Sequence, residues 1–235
     1  MKVWRMATGA AWALLFSGSI WWCTHVPYRP SGMLRAVPHD ASVVSVHPDL
    51  LPRWGLVTST PFVRRLVQST GAGPVERISV VEGLLRHLGV RDLTFAYFPS
   101  TVSRPEPVWA AVGWVGGRSQ MSRWSMQFGG GRGMEAVELS YGRRAWVRPI
   151  PEFGGRFLGI AFVEGMAIAA LSQNPSAIAG LTDCYDGRWP GILNTMSPES
   201  IDWIRQRKGR DRGWVRDFPR TTWLFDLKRL TSEEI

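Results

Sequence analysis

Four histidines, two cysteines and a scatter of carboxylates are the residues of this chain with chemistry to offer. The histidines are His25, His39, His47 and His87, and none stands in a His-Glu-x-x-His or comparable ligand spacing. His39-Asp40 and His47-x-Asp49 bracket one short apolar run. An extended strand holds such ends about 20 Å or more apart, so these residues are expected as surface polar groups rather than as a metal or acid/base pair. Cys184 lies beside Asp183 on an expected helix with no histidine near in sequence, which suits a small buried hydrophobe better than a nucleophile. There is no Gly-x-Ser-x-Gly elbow and no Ser-x-x-Lys. Glu135, Glu138, Glu152 and Glu164 sit at strand edges, and no spacing selects a hydrolytic pair among them.

The loop Gly129-Gly130-Gly131-Arg132-Gly133 fits a loose dinucleotide pattern through Gly131, Gly133 and Ala136. Pyrophosphate binding needs a strand before such glycines and a helix N-terminus after them. Here a helix precedes and an alternating strand comes after, so the loop reads as a connector. No catalytic residue, cofactor or metal is expected on these grounds.

Charge is more informative. The chain of 235 residues carries 28 Lys+Arg against 19 Asp+Glu, a net +9, and 25 of the 28 are Arg. From Trp203 to Arg220 there are seven basic and two acidic residues, which is +5 of that total. Arg205, Arg207, Lys208, Arg210, Arg212 and Arg216, with Trp214 among them, are the candidates for contact with an anionic partner. For an exported chain the available partners are anionic lipid or an envelope polymer, and nucleic acid is not expected. A solvated linker between repeats is the reading that ranks first for this segment.

The elements that must position these residues begin with an anchor. Lys2 and Arg5 precede an uncharged stretch, Met6–Cys23, of 18 residues, which is near the lower length for a membrane span. Trp21, Trp22 and Tyr28 stand at its far end, where amphipathic rings favour the membrane interface, and the basic flank favours an inside N-terminus. The alternative is a signal peptide cleaved before Ile20, since Ser17 and Ser19 have the required spacing. Both readings place the body outside the cytoplasm. Segment 1–26 is thus expected as the anchor, and 27–38 as a linker rich in Pro and Gly.

Short β-forming runs at Ser42–Val46, Leu93–Phe98, Val108–Val115, Met134–Ser140, Ala145–Ile150, Phe157–Val163 and Met166–Leu171 predict strands joined largely by hairpins. Helical spacing predicts helices over 60–69, 75–88, 118–128, 175–185 and 197–207, with Asn174 and Ser197 as caps. The fold class expected is α+β: an antiparallel sheet of hairpins with helices packed mainly on one face, preceded by a transmembrane or signal helix. The domain would span 39–202, followed by a basic linker, 203–220. Segment 221–235 would open a second repeat, because Pro219 to Leu230 echoes Pro38 to Leu51 as proline, apolar strand, polar break and leucine. An apolar fraction of 45% with 20% charged residues excludes a disordered chain. Two cysteines exclude a disulfide-dense scaffold.

The Pro38–Val46 strand, the helix opening Ser59-Thr60-Pro61-Phe62, Leu88–Asp92 before a strand and Ser172–Leu181 after a hairpin carry a resemblance. Over about residues 36–190 the chain resembles a family of exported bacterial proteins known only as a domain of unknown function. It is similar, more weakly, to longer envelope proteins of outer-membrane assembly that place strand-rich repeats after an anchor. The resemblance implies no catalytic residue. The function expected is a non-enzymatic, single-pass protein of the bacterial cytoplasmic membrane, held through residues 6–23, with a periplasmic body that binds other envelope proteins. An exported hydrolase with dispersed residues, and an anionic binder acting through 203–220, are the alternatives.

Overall fold

The computed structural model describes residues 2–59, 78–100, 105–129, 133–195 and 222–225. Alternation of side chains along extended segments builds one antiparallel sheet. Its strands are β1 (Val43–His47), β2 (Leu93–Phe98), β3 (Val108–Trp114), β4 (Glu135–Glu138), β5 (Arg144–Ile150), β6 (Arg156–Val163), β7 (Met166–Ser172) and β8 (Thr222–Phe225). They lie in the order β4-β5-β6-β7-β3-β2-β1-β8. The helices are α1 (Lys2–Thr24), α2 (Trp54–Ser59), α3 (Ile78–Leu88), α4 (Arg118–Phe128), α5 (Ala177–Tyr185) and α6 (Ile192–Thr195). The molecule is therefore α+β. The helices expected at 60–69 and 197–207, the basic segment 203–220 and the middle of the Gly129–Gly133 loop lie outside the described residues.

Period-two alternation sends Ala96, Val112, Ala161 and Ile168 to one face of the sheet and Leu93, Ile160, Phe162 and Ala167 to the other. The first face is covered by a 3₁₀ turn, Pro30–Ala36, together with α5 and α6. The second is covered by Leu50, Trp54 of α2, Leu85 of α3 and Met126 of α4. Helices thus cover both faces, which corrects the expectation of cover mainly on one. The reason is that both faces of the strands are apolar, and each needs a layer above it.

The expected linker 27–38 is also corrected. Met33, Leu34, Ala36 and Val37 are buried in the first layer. Proline is tolerated in the first turn of the 3₁₀ segment, whose missing N–H costs nothing there. The segment is latched to the far end of the domain by His39 N–H to Pro190 O (3.1 Å) and Ile192 N–H to Val37 O (2.8 Å). The helix expected from Pro175 begins at Ala177, because the Asn174 side chain accepts the Ser176 N–H at 2.9 Å and holds a turn there. The strand expected near 221–227 is β8. It is not set apart from the domain: it pairs with β1, Val43 opposite Phe225 and Val46 opposite Thr222, so the two proline-led segments that look alike lie side by side in one sheet.

Helix α1 is 23 residues long, and every side chain from Gly9 to Trp21 is exposed. Trp12, Leu14, Leu15 and Phe16 point to different sides of it, each 62–74% exposed. No helix among the described residues is long and apolar enough to cross a membrane. In α1 the tryptophans, glycines, serines and threonines lower the apolarity, while the length suffices.

Candidate functional site

Directly after α1 the chain turns over the end of the sheet and encloses a cleft of about 580 Å³. His25, Val26 and Pro27 form its lip, and Arg29, which precedes the 3₁₀ segment, with Gly32 and Arg35 within it, form one wall. Ser119, Gln120 and Arg123 of α4 form the opposite wall. The floor is Trp114, Phe162 and Met166, all buried. Glu164 and Gly165 of the β6–β7 hairpin, with Tyr185 of α5, close the far side.

The hairpin fixes this geometry. Glu164 and Gly165 have φ of 43° and 87° and make the two-residue turn that matches strand twist. A Cβ on Gly165 would lie 2.7 Å from Val26 Cγ1 and 2.8 Å from the Trp114 ring. Glycine there lets the chain leaving α1 press onto the sheet. The Gly165 N–H donates to Ser119 Oγ (3.1 Å), which ties α4 to the same turn.

Most polar groups around the cleft are already partnered. The Tyr185 hydroxyl donates to Glu164 at 2.7 Å. Burial first, and that bond second, push the phenol far above its ordinary range, while Arg35 and Arg143 pull the other way. Both guanidinium groups stack on its ring, at 5.2 and 5.7 Å from the centroid. Tyr28 donates to Asp92, meets Trp114 edge-on at 5.5 Å and lies under the Arg91 guanidinium at 4.8 Å. Burial, then the Asp92 bond, push its hydroxyl up as well. Among the described residues no carboxylate stands within ion-pair distance of Arg29, Arg35 or Arg123. The cleft is therefore a binding surface with an apolar floor and a cationic rim.

The residues singled out from the sequence are mostly elsewhere. Arg205, Arg207, Lys208, Arg210, Arg212, Trp214 and Arg216 lie outside the described residues. Trp21 is 59% exposed on α1 and stacks on His25 at 4.5 Å, and Trp22 is next to it on the same helix. The hydroxyl of Tyr28, expected at a membrane interface, is committed to Asp92 within the domain.

His47, expected at the surface, is 1% exposed, bonded to Ser45 Oγ at 2.9 Å and edge-on to Phe95. Burial, with the nearby Arg53 charge, lowers its pKa to about 3. His39 reaches Pro190 O instead. Cys184 is a free, buried thiol pushed up to about 11 by burial and by Asp40. Among the described residues no group of three or more His, Cys, Asp or Glu could hold a metal ion. Gly129 caps α4 through its N–H to Ser125 O (2.8 Å), a connector's role.

The rim itself was not visible in the sequence. Arg29, Arg35, Arg123, Glu164 and Tyr185 are spread over more than half the chain, and no spacing links them. The one local signal was the Glu164-Gly165 turn.

No family model and no curated protein matches the chain. A solved structure titled "Structure of crystal form IV of TP0453" is similar at 12% identity, with a TM-score of 0.39, over 76% of this chain and 60% of that one. The chain thus spans about 60% of the length of that protein.

Proposed function

We propose that this chain is a non-enzymatic, membrane-attached protein of the bacterial cell envelope, its α+β body outside the cytoplasmic membrane and bound to other envelope components. The observation that supports this reading is α1. Its described side chains from Gly9 to Trp21 are all exposed, with Trp12, Leu14, Leu15, Phe16 and Ile20 among them, and exposed apolar groups gathered on one element mark contact with a membrane or a partner. Its basic residues, Lys2 and Arg5, stand at the end expected to remain inside. The cleft favours binding over hydrolysis, because it sets an apolar floor beneath a rim of three arginines and its Tyr185 hydroxyl is donated to Glu164.

The test is membrane fractionation of the full chain in a bacterial host. The intact protein should stay with membranes through alkaline carbonate, deletion of residues 2–24 should release it, and protease added to spheroplasts should digest the body. Extraction without detergent, or a body protected in spheroplasts, would overturn the proposal.

The shortfall of apolarity in α1 favours one second reading, cleavage before Ile20. The mass of the mature chain separates the two: a start at Met1 means an anchor, and a start at Ile20 means a secreted form.

A further inference from the structure

The cleft deepens the proposed function, and its role rests on membrane attachment through α1. Three arginines from two separate elements, Arg29 and Arg35 before the sheet and Arg123 on α4, line one concavity. All three are exposed. Glu164, the acidic residue of the same lining, takes the Tyr185 hydroxyl. Beneath the rim lie Trp114, Phe162 and Met166, so cation and hydrocarbon are offered side by side. Guanidinium forks match the paired oxygens of a phosphate. The volume is that of a small-ligand pocket. Its lip, His25 to Pro27, is the continuation of α1. A helix held in a bilayer would therefore present the cleft to the head-group layer on its own side.

We infer that this cleft binds the phosphodiester head group of an anionic membrane lipid, its oxygens on Arg29, Arg35 and Arg123 and its glycerol backbone over Trp114, Phe162 and Met166. The body would then be seated on the membrane surface and not merely tethered to it. A lipid is the source favoured over a soluble phosphate, because an apolar floor adjoins the cations and because the cleft opens at the foot of an apolar helix.

The experiment is co-flotation of the full chain with vesicles of phosphatidylcholine, alone or mixed with phosphatidylglycerol. Arg29→Gln/Arg123→Gln is the main variant, since neither side chain holds a bond within the described fold. Arg144→Gln/Arg148→Gln removes the same charge from exposed positions of β5. The wild type should prefer the anionic vesicles. The cleft variant should keep its binding to phosphatidylcholine and lose that preference by about 30-fold, at about 5-fold for each cation near the surface. The β5 variant should retain the preference. Equal loss in both variants would mean diffuse attraction and overturn the cleft, as would an unchanged preference in the first. Inorganic phosphate that displaces the wild type from anionic vesicles at micromolar concentration would make the ligand a soluble phosphate and overturn the lipid. Failure to float with either vesicle would overturn the attachment through α1, and the cleft's lipid with it.

Discussion

On one face of the sheet Met33, Val37, Ile168 and Ile178 are sealed beneath the 3₁₀ segment and α5, each no more than 1% exposed. On the other, Phe95, Ala111, Leu158 and Ala169 of the strands remain half-buried beside α2, α3 and α4. The first layer joins segments from opposite ends of the domain and is clamped by backbone bonds between 37–39 and 190–192. It also approaches closely: a Cβ on Gly159 would lie 2.9 Å from Ile178 Cβ, so helix α5 rests directly on β6. The second layer is formed by α2, α3 and α4, the last of these packed on β6, and among the described residues it alone encloses a buried histidine. The first layer is closed by bonds across the domain, and the second encloses the imidazole of His47 edge-on to Phe95.

The largest effect that would test this contrast is on the closed face. Ile178→Ala should lower unfolding free energy by about 3–4 kcal/mol, because a cavity opens where neither Gly159 nor the sheet can collapse into it. Urea melts would show it, and a loss below about 1 kcal/mol would mean that the layer relaxes freely.

On the open face the expected effect depends on pH. The unfolded chain takes up a proton on His47 near its ordinary value of 6.5, and the folded chain does so only near 3. Protons therefore bind the unfolded state first, and stability falls as pH drops through that window, by roughly 2 kcal/mol at about pH 5. His47→Gln should flatten that part of the stability-against-pH curve. An unchanged slope would show that other groups carry the acid limb.

The smallest effect is Leu158→Ala, at about 1 kcal/mol, since a half-buried side chain loses less apolar burial. A cost equal to that of Ile178→Ala would erase the distinction between the faces.

Much of the local structure was legible. Helix α4 ends where glycine succeeds Phe128, and the Glu164-Gly165 turn is a hairpin signal by composition alone. Residues 27–38 were not legible as core. Prolines and a glycine in sequence resemble a linker, and only α5 and α6 lying above Met33 and Val37 make them interior. The cleft was illegible for a related reason. Arg29 and Arg123 carry no signal until β3, the β6–β7 turn and α4 bring them to one rim.

Propensity and periodicity act over a few residues, and at that range the chain already specifies its strands and helices, its turn residues, and an apolar N-terminal run with a basic flank. Long-range packing was needed to cover both faces of the sheet, to enclose His47 in its neutral form, and to bring three distant arginines to a cleft at the foot of α1. Burial and convergence depend on which strands become neighbours. That pairing joins β1 to β8 across most of the chain, and β3 to β7 across the three strands and a helix between them, beyond the reach of any local pattern.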